Sequence, residues 1–424
     1  MRPAALLVVL AALAWALPAL AGGLDRPLVV DFGVEASGPE EVAAGKRVRK
    51  AVPELGIRWT QLVNLDWERF EPVPTQGDPS RYQWKTLDDH VRGLQELGLD
   101  AVFLLAPTAQ LTAEPSGLAS AGGGLPAAQS LPAWERFLAA AFDRYNHDGA
   151  GDMPGLTRPF ATWQVGRPPA APQLALLQAA QRAKARVGPG ITIVLAAARD
   201  EGLREVLRHP ELFDAVDLGP GDGRGFDPGV LAGSVAWLRQ EMAKNGYAKP
   251  IWCLDWTTAL PDPALAGETG QAEEVVRLVT TMVATGVSRS LYGQLLDPPD
   301  LAGGPQGTGL LRPASGAATL PTPKPAFQVL THLEELLAGE IKWVDDLSPG
   351  PGVHAWRFVK AREDIIVLWA DEPLTPEDRQ AIAGRLPRKA RFRVFDPLSG
   401  STGNALNALP SEIGRQPVIL VTGA

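Results

Sequence analysis

The feature that most constrains this chain is an alternation of short apolar strands with amphipathic helices between residues 27 and 338. Residues 101–106 form one such strand, and Leu87, Val91 and Leu94 before it recur at i, i+4 and i+7, as on one face of a helix. Eight strand and helix units can be followed in this way. Strands that alternate with helices form parallel sheets, and eight of them close into a barrel. We therefore predict an α/β fold, a (β/α)8 TIM barrel, and no doubly wound nucleotide-binding sheet.

The pattern changes after Gly339. Runs such as VHAWRFVK, DIIVLWA and PVILV are short apolar strands separated by turn residues, and a helical rhythm recurs around 376–384. Short strands without regular helices between them are typical of an antiparallel β domain. We predict a barrel over 22–338 and a small β-sandwich-like domain over 339–424.

The amino terminus has the features of a targeting segment. Residues 1–21 read MRPAALLVVLAALAWALPALA, with a positive charge at Arg2, an apolar run and a small-x-small pattern at the end. These are the parts of a secretory signal peptide. A run this short, interrupted by Pro18, does not favour a membrane anchor. We predict a secreted or periplasmic protein with no stable membrane span after cleavage.

Composition narrows the classes of partner. The chain has 424 residues, of which 45% are hydrophobic and 21% charged, which is typical of a core-forming globular protein. A net charge of −8 without a basic stripe argues against nucleic acid. The five histidines show no metal-ligand spacing, so we expect no metal and no cofactor. Cys253 is the single cysteine, which excludes an intramolecular disulfide, and we predict it to be a buried filler.

Three stretches carry a family resemblance. FATWQVGRPP at 160–169 is a strand that runs into a tight turn, and it resembles the fourth-strand motif Trp-Gln-Val-Gly-Asn-Glu-Pro of clan A retaining glycoside hydrolases. The order of motifs over 67–106 is similar to the second β/α unit of the same enzymes. The resemblance spans about 27–422 and is closest in style to the xylosidase/iduronidase and cellulase types. It implies carbohydrate as the partner and Gln164 as a substrate-binding residue.

The resemblance is broken at the positions that carry the chemistry. Arg167 and Pro168 stand where the family has the sugar-binding Asn and the acid/base Glu. KPIWCLDW at 249–256 resembles Lys-Pro-Ile-Trp-x-x-Glu, which places Asp255 at the position of the nucleophile. Retaining hydrolysis needs two carboxyl groups about 5 Å apart, one of them protonated. Proline has no proton to give, and Asp is one methylene shorter than Glu.

Each candidate residue has a functional and a structural interpretation. Asp255 is either a residual nucleophile or sugar-hydroxyl acceptor, or a carboxylate that pairs with a base such as Arg167. Because faces alternate along a strand, we expect Ile251, Cys253 and Asp255 to face the barrel axis. Arg167 either clamps an acidic sugar or neutralises Asp255. Glu35 ends an apolar strand and is the first candidate for a relocated acid.

Tryptophans fall at or near several strand ends. The chain has 12 of them, and indole faces suit the apolar faces of sugar rings as well as protein cores. We expect Trp163 and Trp252 to be core residues, and Trp67 and Trp256 to contact the ligand.

Three functions follow from these observations. The first is a degenerate glycoside-hydrolase-like protein, a pseudoenzyme that binds oligo- or polysaccharide with little or no retaining hydrolysis. The second is a working glycosidase that uses Asp255 with a relocated acid such as Glu35. The third is an interaction protein that uses the barrel as a scaffold.

We expect the mature protein to begin near Gly22, because cleavage after Ala21 fits the small-x-small pattern. Mass spectrometry of the protein isolated from its native host measures the terminus directly. An intact Met1 on cytoplasmic protein would contradict the prediction.

Overall fold

The computed structural model describes residues 28–35, 56–71, 78, 81–106, 131–166, 174–196, 201–219, 227–258, 267–297, 307–313, 321–387, 391–406 and 408–422. The predicted signal peptide, Arg167 and Pro168 lie outside these ranges.

Eight parallel strands form a closed barrel, because each strand pairs with the next and the eighth pairs with the first. The predicted barrel is therefore confirmed. The strands are β1 Leu28–Glu35, β2 Trp59–Asp66, β3 Asp100–Ala106, β4 Thr162–Val165, β5 Thr192–Ala196, β6 Ala215–Asp217, β7 Ile251–Trp256 and β8 Val287–Tyr292.

Helices follow the strands on the outside of the barrel. They are α1 Trp67–Phe70, α2 Lys85–Leu97, α3 Leu131–Tyr145, α4 Leu174–Val187, α5 Glu201–Val206, a 3-10 turn Pro210–Leu212, α6 Pro228–Lys244, α7 Gly267–Ala284 and α8 Pro325–Leu337. Local chemistry sets their ends: Asp227 caps α6 by accepting from the backbone N–H groups of Gly229 and Val230. α2 ends at Gly98, whose φ of 68° is left-handed. No helix in the described ranges is long and apolar enough to cross a membrane.

The alternation of faces along the strands builds two separate apolar layers. Outward side chains such as Phe103 and Trp163 belong to the large core between strands and helices. Inward side chains such as Val102, Val194 and Leu291 form a small cluster on the barrel axis. The strands that supply these residues are therefore buried on both faces, as expected for a parallel barrel.

The predicted orientation of β7 is wrong. Ile251 and Cys253 lie in the outer core, whereas Trp252 and Leu254 lie in the cluster on the axis. Alternation within β7 is regular up to Leu254, but it starts on the opposite face from the one predicted. Cys253 is fully buried, as predicted for a filler.

The remaining elements follow the barrel towards the carboxyl terminus. They are β9 Leu311–Arg312, β10 Thr322–Pro323, β11 Gly339–Asp346, β12 Val353–Lys360, β13 Glu363–Ala370, α9 Pro376–Arg385, β14 Phe392–Asp396, β15 Ser401–Leu406 and β16 Val418–Thr422. β9 and β10 form a small hairpin, and the other strands form an antiparallel sheet in the order β15-β14-β16-β13-β12-β11. In the described ranges this is one continuous sheet and not the two facing sheets of the predicted β-sandwich.

β11 joins this sheet to the barrel. It pairs antiparallel with the beginning of β1, where Leu28 is opposite Ile341, while the end of β1 pairs with β2 and β8. One face of the sheet adds Phe358 and Ile419 to the core of the barrel. The other face packs with Ile382 of α9 in a core of its own.

His354 of β12 lies in an aromatic cluster on this sheet. Its ring stacks on Trp369 with centroids 4.8 Å apart, and Trp356 meets Trp369 edge-on at 4.9 Å. Burial lowers the pKa of His354. The charged groups that also act on it are Asp371, Asp227 and Asp346, which raise the pKa, and Arg277, which lowers it.

Acidification should destabilise the protein through His354. A histidine whose pKa is lowered in the folded state contributes full stability above its ordinary value of 6.5, and that contribution is lost as the pH falls towards the folded pKa. The melting temperature of wild type should therefore fall more steeply between pH 7 and 5 than that of His354→Gln. His209→Gln, whose side chain is 37% exposed, is the control. Parallel pH profiles for wild type and His354→Gln would contradict this assignment.

Candidate functional site

A chain of hydrogen bonds crosses the barrel axis between β2, β4 and β6. Gln61 Nε2 donates to Gln164 Oε1 at 2.6 Å, and Gln164 Nε2 donates to Asp217 Oδ2 at 2.7 Å. The backbone N–H of Leu254 then donates to Asp217 Oδ1 at 2.8 Å. We call Gln61, Gln164 and Asp217 the buried polar chain. It links four strands, since Leu254 belongs to β7.

The polar chain is closed to solvent. Gln164 is 0% exposed, Asp217 1% and Gln61 2%. Burial raises the pKa of Asp217 to about 7, although hydrogen bonds from Leu254, Gly219 and Gln164 act in the opposite direction. The negative charge of Asp255 adds to the rise. The pKa of Asp217 thus lies closer to neutral pH than that of an ordinary aspartate.

Asp255 follows directly above this chain, at the carboxyl end of β7. Its φ of 58° lies in the left-handed region, which is uncommon for a residue with a side chain. Between Cys253 and Trp256, β7 has one residue more than β8 has between Ser290 and Tyr292. This extra residue is a bulge, and bulges commonly re-aim a side chain near a site.

Gly293 makes room for the re-aimed carboxylate. A β-carbon on Gly293 would overlap Asp255 Oδ1 and would also lie 3.1–3.2 Å from the Asp255 backbone. Gly293 follows β8, so the carboxylate lies over the end of the neighbouring strand. Asp255 is partly exposed, unlike the residues of the polar chain beneath it. The structure thus presents one carboxylate at the carboxyl end of β7.

The bulge also determines where Trp256 lies. It turns the indole outward, where the ring is 1% exposed and meets Tyr292 at 4.8 Å. Its Nε1 donates to Ser290 Oγ at 3.3 Å. A ring enclosed in this way has no face for a ligand, so the predicted sugar contact of Trp256 is corrected to a core role.

Trp67 is corrected in the same way. It is 2% exposed and packs against Trp134 and Phe137 of α3, with centroids 5.4 and 6.1 Å apart. Its Nε1 donates to Glu71 Oε2 at 2.7 Å. Trp163 and Trp252, predicted to be core residues, are 0% and 7% exposed.

The remaining predicted site residues are only partly located. Glu35 is the last residue of β1, and its backbone is in register with Gln61 of β2. Glu35 thus lies beside β2, the strand that carries Gln61 of the polar chain. Arg167, which was predicted to face the site, lies outside the described residues. The described ranges contain no cluster of His, Cys, Asp or Glu that could hold a metal ion.

Sequence reasoning singled out Gln164 and Asp255 but missed Gln61 and Asp217. The predicted substrate contact of Gln164 is corrected to a structural role, because Gln164 is 0% exposed and its amide bonds to Gln61 and Asp217. Asp217 stands in the short run AVDLGPGDG, where the glycines indicated only a loop. An acidic residue directly after two apolar residues of a barrel strand was the available signal. Its partner could not be identified, because a sequence does not give the register between β4 and β6.

The fold of this chain is similar to that of solved structures. No family model and no curated protein matches the chain. Among solved structures, a family 39 glycoside hydrolase from the gut symbiont Bacteroides cellulosilyticus WH2 has a TM-score of 0.66 at 16% identity, covering 93% of this chain and 81% of its own. A family 30 endoxylanase from Clostridium papyrosolvens C71 has a TM-score of 0.60 at 12% identity, covering 94% and 97%. A family 39 β-xylosidase from Caulobacter crescentus has a TM-score of 0.58 at 16% identity, covering 95% and 98%.

At these identities the likeness establishes the fold alone. It confirms the predicted resemblance to clan A glycoside hydrolases as a shared barrel with a carboxyl-terminal β domain.

Replacing Asp217 by Asn should change how stability depends on pH. The folded state keeps a proton on Asp217 up to about pH 7, while the unfolded state loses it near 3.8. Wild type should therefore lose stability relative to Asp217→Asn as the pH rises from 4 to 8, by on the order of 3–4 kcal/mol. Urea unfolding across this range measures the difference.

The side chain of the Asp217→Asn variant can join the buried polar chain if the amide groups of Gln61 and Gln164 both flip, so that oxygen and nitrogen exchange places. Gln61 Oε1, which has no partner in the described part of the chain, would then accept from Gln164. Asp89→Asn, on the exposed face of α2, is the matched control. A wild-type to Asp217→Asn difference that stays constant from pH 4 to 8 would contradict the assignment.

Proposed function

We propose that this chain is an exported, glycoside-hydrolase-like protein that binds carbohydrate at the mouth of its barrel and does not perform retaining hydrolysis with two carboxylates. The observation that carries the proposal is the placement of Asp255 at the carboxyl end of β7. This partly exposed carboxylate is aimed by a bulge and accommodated by Gly293, and the second carboxyl that retention requires is missing from β4.

The sequence around β4 is consistent with the absence of an acid/base carboxyl group. The chain has no Asp or Glu between Asp152 and Asp200, so β4, the loop after it, α4 and β5 supply no carboxyl group. Pro168 stands at the position of the family's acid/base. General acid catalysis contributes typically about 10²–10⁴-fold, so its loss alone leaves a poor enzyme.

Asp255 remains suited to binding. A carboxylate accepts hydrogen bonds from sugar hydroxyls, and charged hydrogen bonds are about twice as strong as neutral ones. Its backbone is held in place by the preceding residue, because the N–H of Leu254 donates a hydrogen bond to Asp217. A site whose supporting residues are themselves hydrogen-bonded and buried keeps its geometry when a ligand arrives.

A working glycosidase is the second candidate, and the raised pKa of Asp217 favours it. A carboxyl with a pKa of about 7 has the proton that an acid needs at neutral pH. Against this, Asp217 is 1% exposed, and Leu254 and Gln164 already bond to its two oxygens. A general acid must reach the leaving oxygen, so we assign Asp217 to structure.

The test combines binding and turnover. Xylo-oligosaccharides begin the panel, because two of the solved relatives are a xylanase and a xylosidase. Wild type should bind one of the oligosaccharides in a calorimetric titration, and Asp255→Asn should weaken that binding at least about tenfold, the loss of one charged hydrogen bond. Asn tolerates the left-handed backbone at this position, so the variant removes charge without strain. Asp89→Asn is the control.

Turnover separates the candidates. We expect wild type to leave unactivated oligosaccharides intact over long incubations. Aryl glycosides, whose leaving groups need little protonation, report any nucleophile that survives at Asp255. Rapid cleavage of unactivated substrate that is lost in Asp217→Asn would favour the working glycosidase. Absence of binding across the whole glycan panel would favour the scaffold and contradict our proposal.

A further inference from the structure

A cavity of about 380 Å³ lies at the end of the barrel opposite Asp255. Its walls come from the beginnings of β2, β3, β4 and β5 and from the segments that lead into β4 and β5. Parallel strands begin at one end of a barrel and finish at the other, so this cavity cannot be part of the mouth. Its volume is at the lower end of the range for ligand pockets, about 300–1,000 Å³.

An indole forms part of the cavity wall. Trp59, the first residue of β2, lines the cavity and is partly exposed. The guanidinium of Arg289 lies 3.4 Å from the centre of the Trp59 ring and 4.2 Å from that of Trp252. This stacking fixes the indole, which therefore loses little side-chain entropy when a ligand packs on its remaining surface.

An ion pair forms the polar part of the wall. Arg158 donates to Asp100 Oδ1 and to the backbone oxygen of Leu99, and its guanidinium lies 4.7 Å over the ring of Phe160. Both charged residues line the cavity and remain 29% and 39% exposed. Arg158 carries five N–H donors and Asp100 two acceptor oxygens, and these bonds use only some of them.

The charges decide which ligand fits. The positive charge of Arg158 and the negative charge of Asp100 cancel, so an ionic ligand would gain little. A ligand with neighbouring hydroxyls can accept from the guanidinium and donate to the carboxylate at once. Its apolar ring face suits the indole of Trp59 and the ring of Pro159.

We propose that this cavity is a second carbohydrate site, which takes a single neutral pyranose ring between Trp59 and the Arg158–Asp100 pair. The site is independent of the proposed binding at the mouth. A small, open site of this kind should bind weakly, with Kd on the order of millimolar, because few ligand atoms make contact.

Gly190 offers a way to fill the cavity without disturbing the fold. It lines the cavity, its φ is not left-handed, and an added β-carbon would meet no atom within 4 Å. Gly190→Leu therefore places an apolar side chain in the ligand's space. Gly233→Leu is the matched control, because Gly233 is exposed on α6 and its β-carbon would also meet nothing.

The experiment titrates methyl β-D-xylopyranoside and methyl β-D-glucopyranoside by ligand-observed NMR in the Asp255→Asn background, which removes the carboxylate of the mouth. We expect saturable binding of at least one glycoside, reduced at least about tenfold by Gly190→Leu and unchanged by Gly233→Leu. Thermal melts confirm that all three proteins are folded.

Two results would overturn the proposal. One is the absence of saturable binding of both glycosides in the Asp255→Asn background. The other is equal affinity with and without Gly190→Leu. Failure of the mouth proposal is recognised separately. It is read from oligosaccharide binding to wild type and Asp255→Asn, and not from the methyl glycosides.

Discussion

The buried polar chain of Gln61, Gln164 and Asp217 is the interaction on which the arrangement of the barrel mouth depends. Polar groups are costly inside a barrel unless they are paired, so these side chains fix one another across the axis. The chain ends on the backbone of Leu254, one residue before Asp255. The bulge above it can hold a left-handed aspartate because Asp217 holds the backbone of the preceding residue, Leu254. The surroundings of a strained residue must over-determine it, and here the polar chain and Gly293 do so.

Much of the fold followed from periodicity. The strand and helix units were visible because most barrel strands are rich in apolar residues and the long helices have an apolar stripe, as with Leu87, Val91 and Leu94. β11 and β15 were missed because they lack that signal. β11 reads GEIKWVDD and is mostly half-buried, and β15 reads STGNAL and is mostly exposed. Pairing with β1 and β14 makes them strands, and pairing is not a local property.

The site was predicted less completely, for a definite physical reason. Motif order singled out Gln164 and Asp255, but Gln164 proved to be fully buried, and the direction of every side chain on β7 depended on which face the strand began with and on the bulge. One extra residue between Cys253 and Trp256 moves Trp256 from the mouth into the core. A bulge changes no residue type and leaves no local mark in the sequence. The bond between Gln164 and Asp217 was also hidden, because a sequence does not give the register between β4 and β6.

The pairing of β1 with β11 has a consequence for the order of events during synthesis. The first barrel strand emerges early, but the partner of its opening residues is Ile341 and its neighbours, which emerge much later. Until then, the edge at Leu28 presents unpaired backbone groups of the kind that recruit other chains. Barrel closure by β8 covers only the later part of β1. The opening residues of β1 therefore gain their hydrogen-bonded partner only after the chain has been synthesised beyond Ile341.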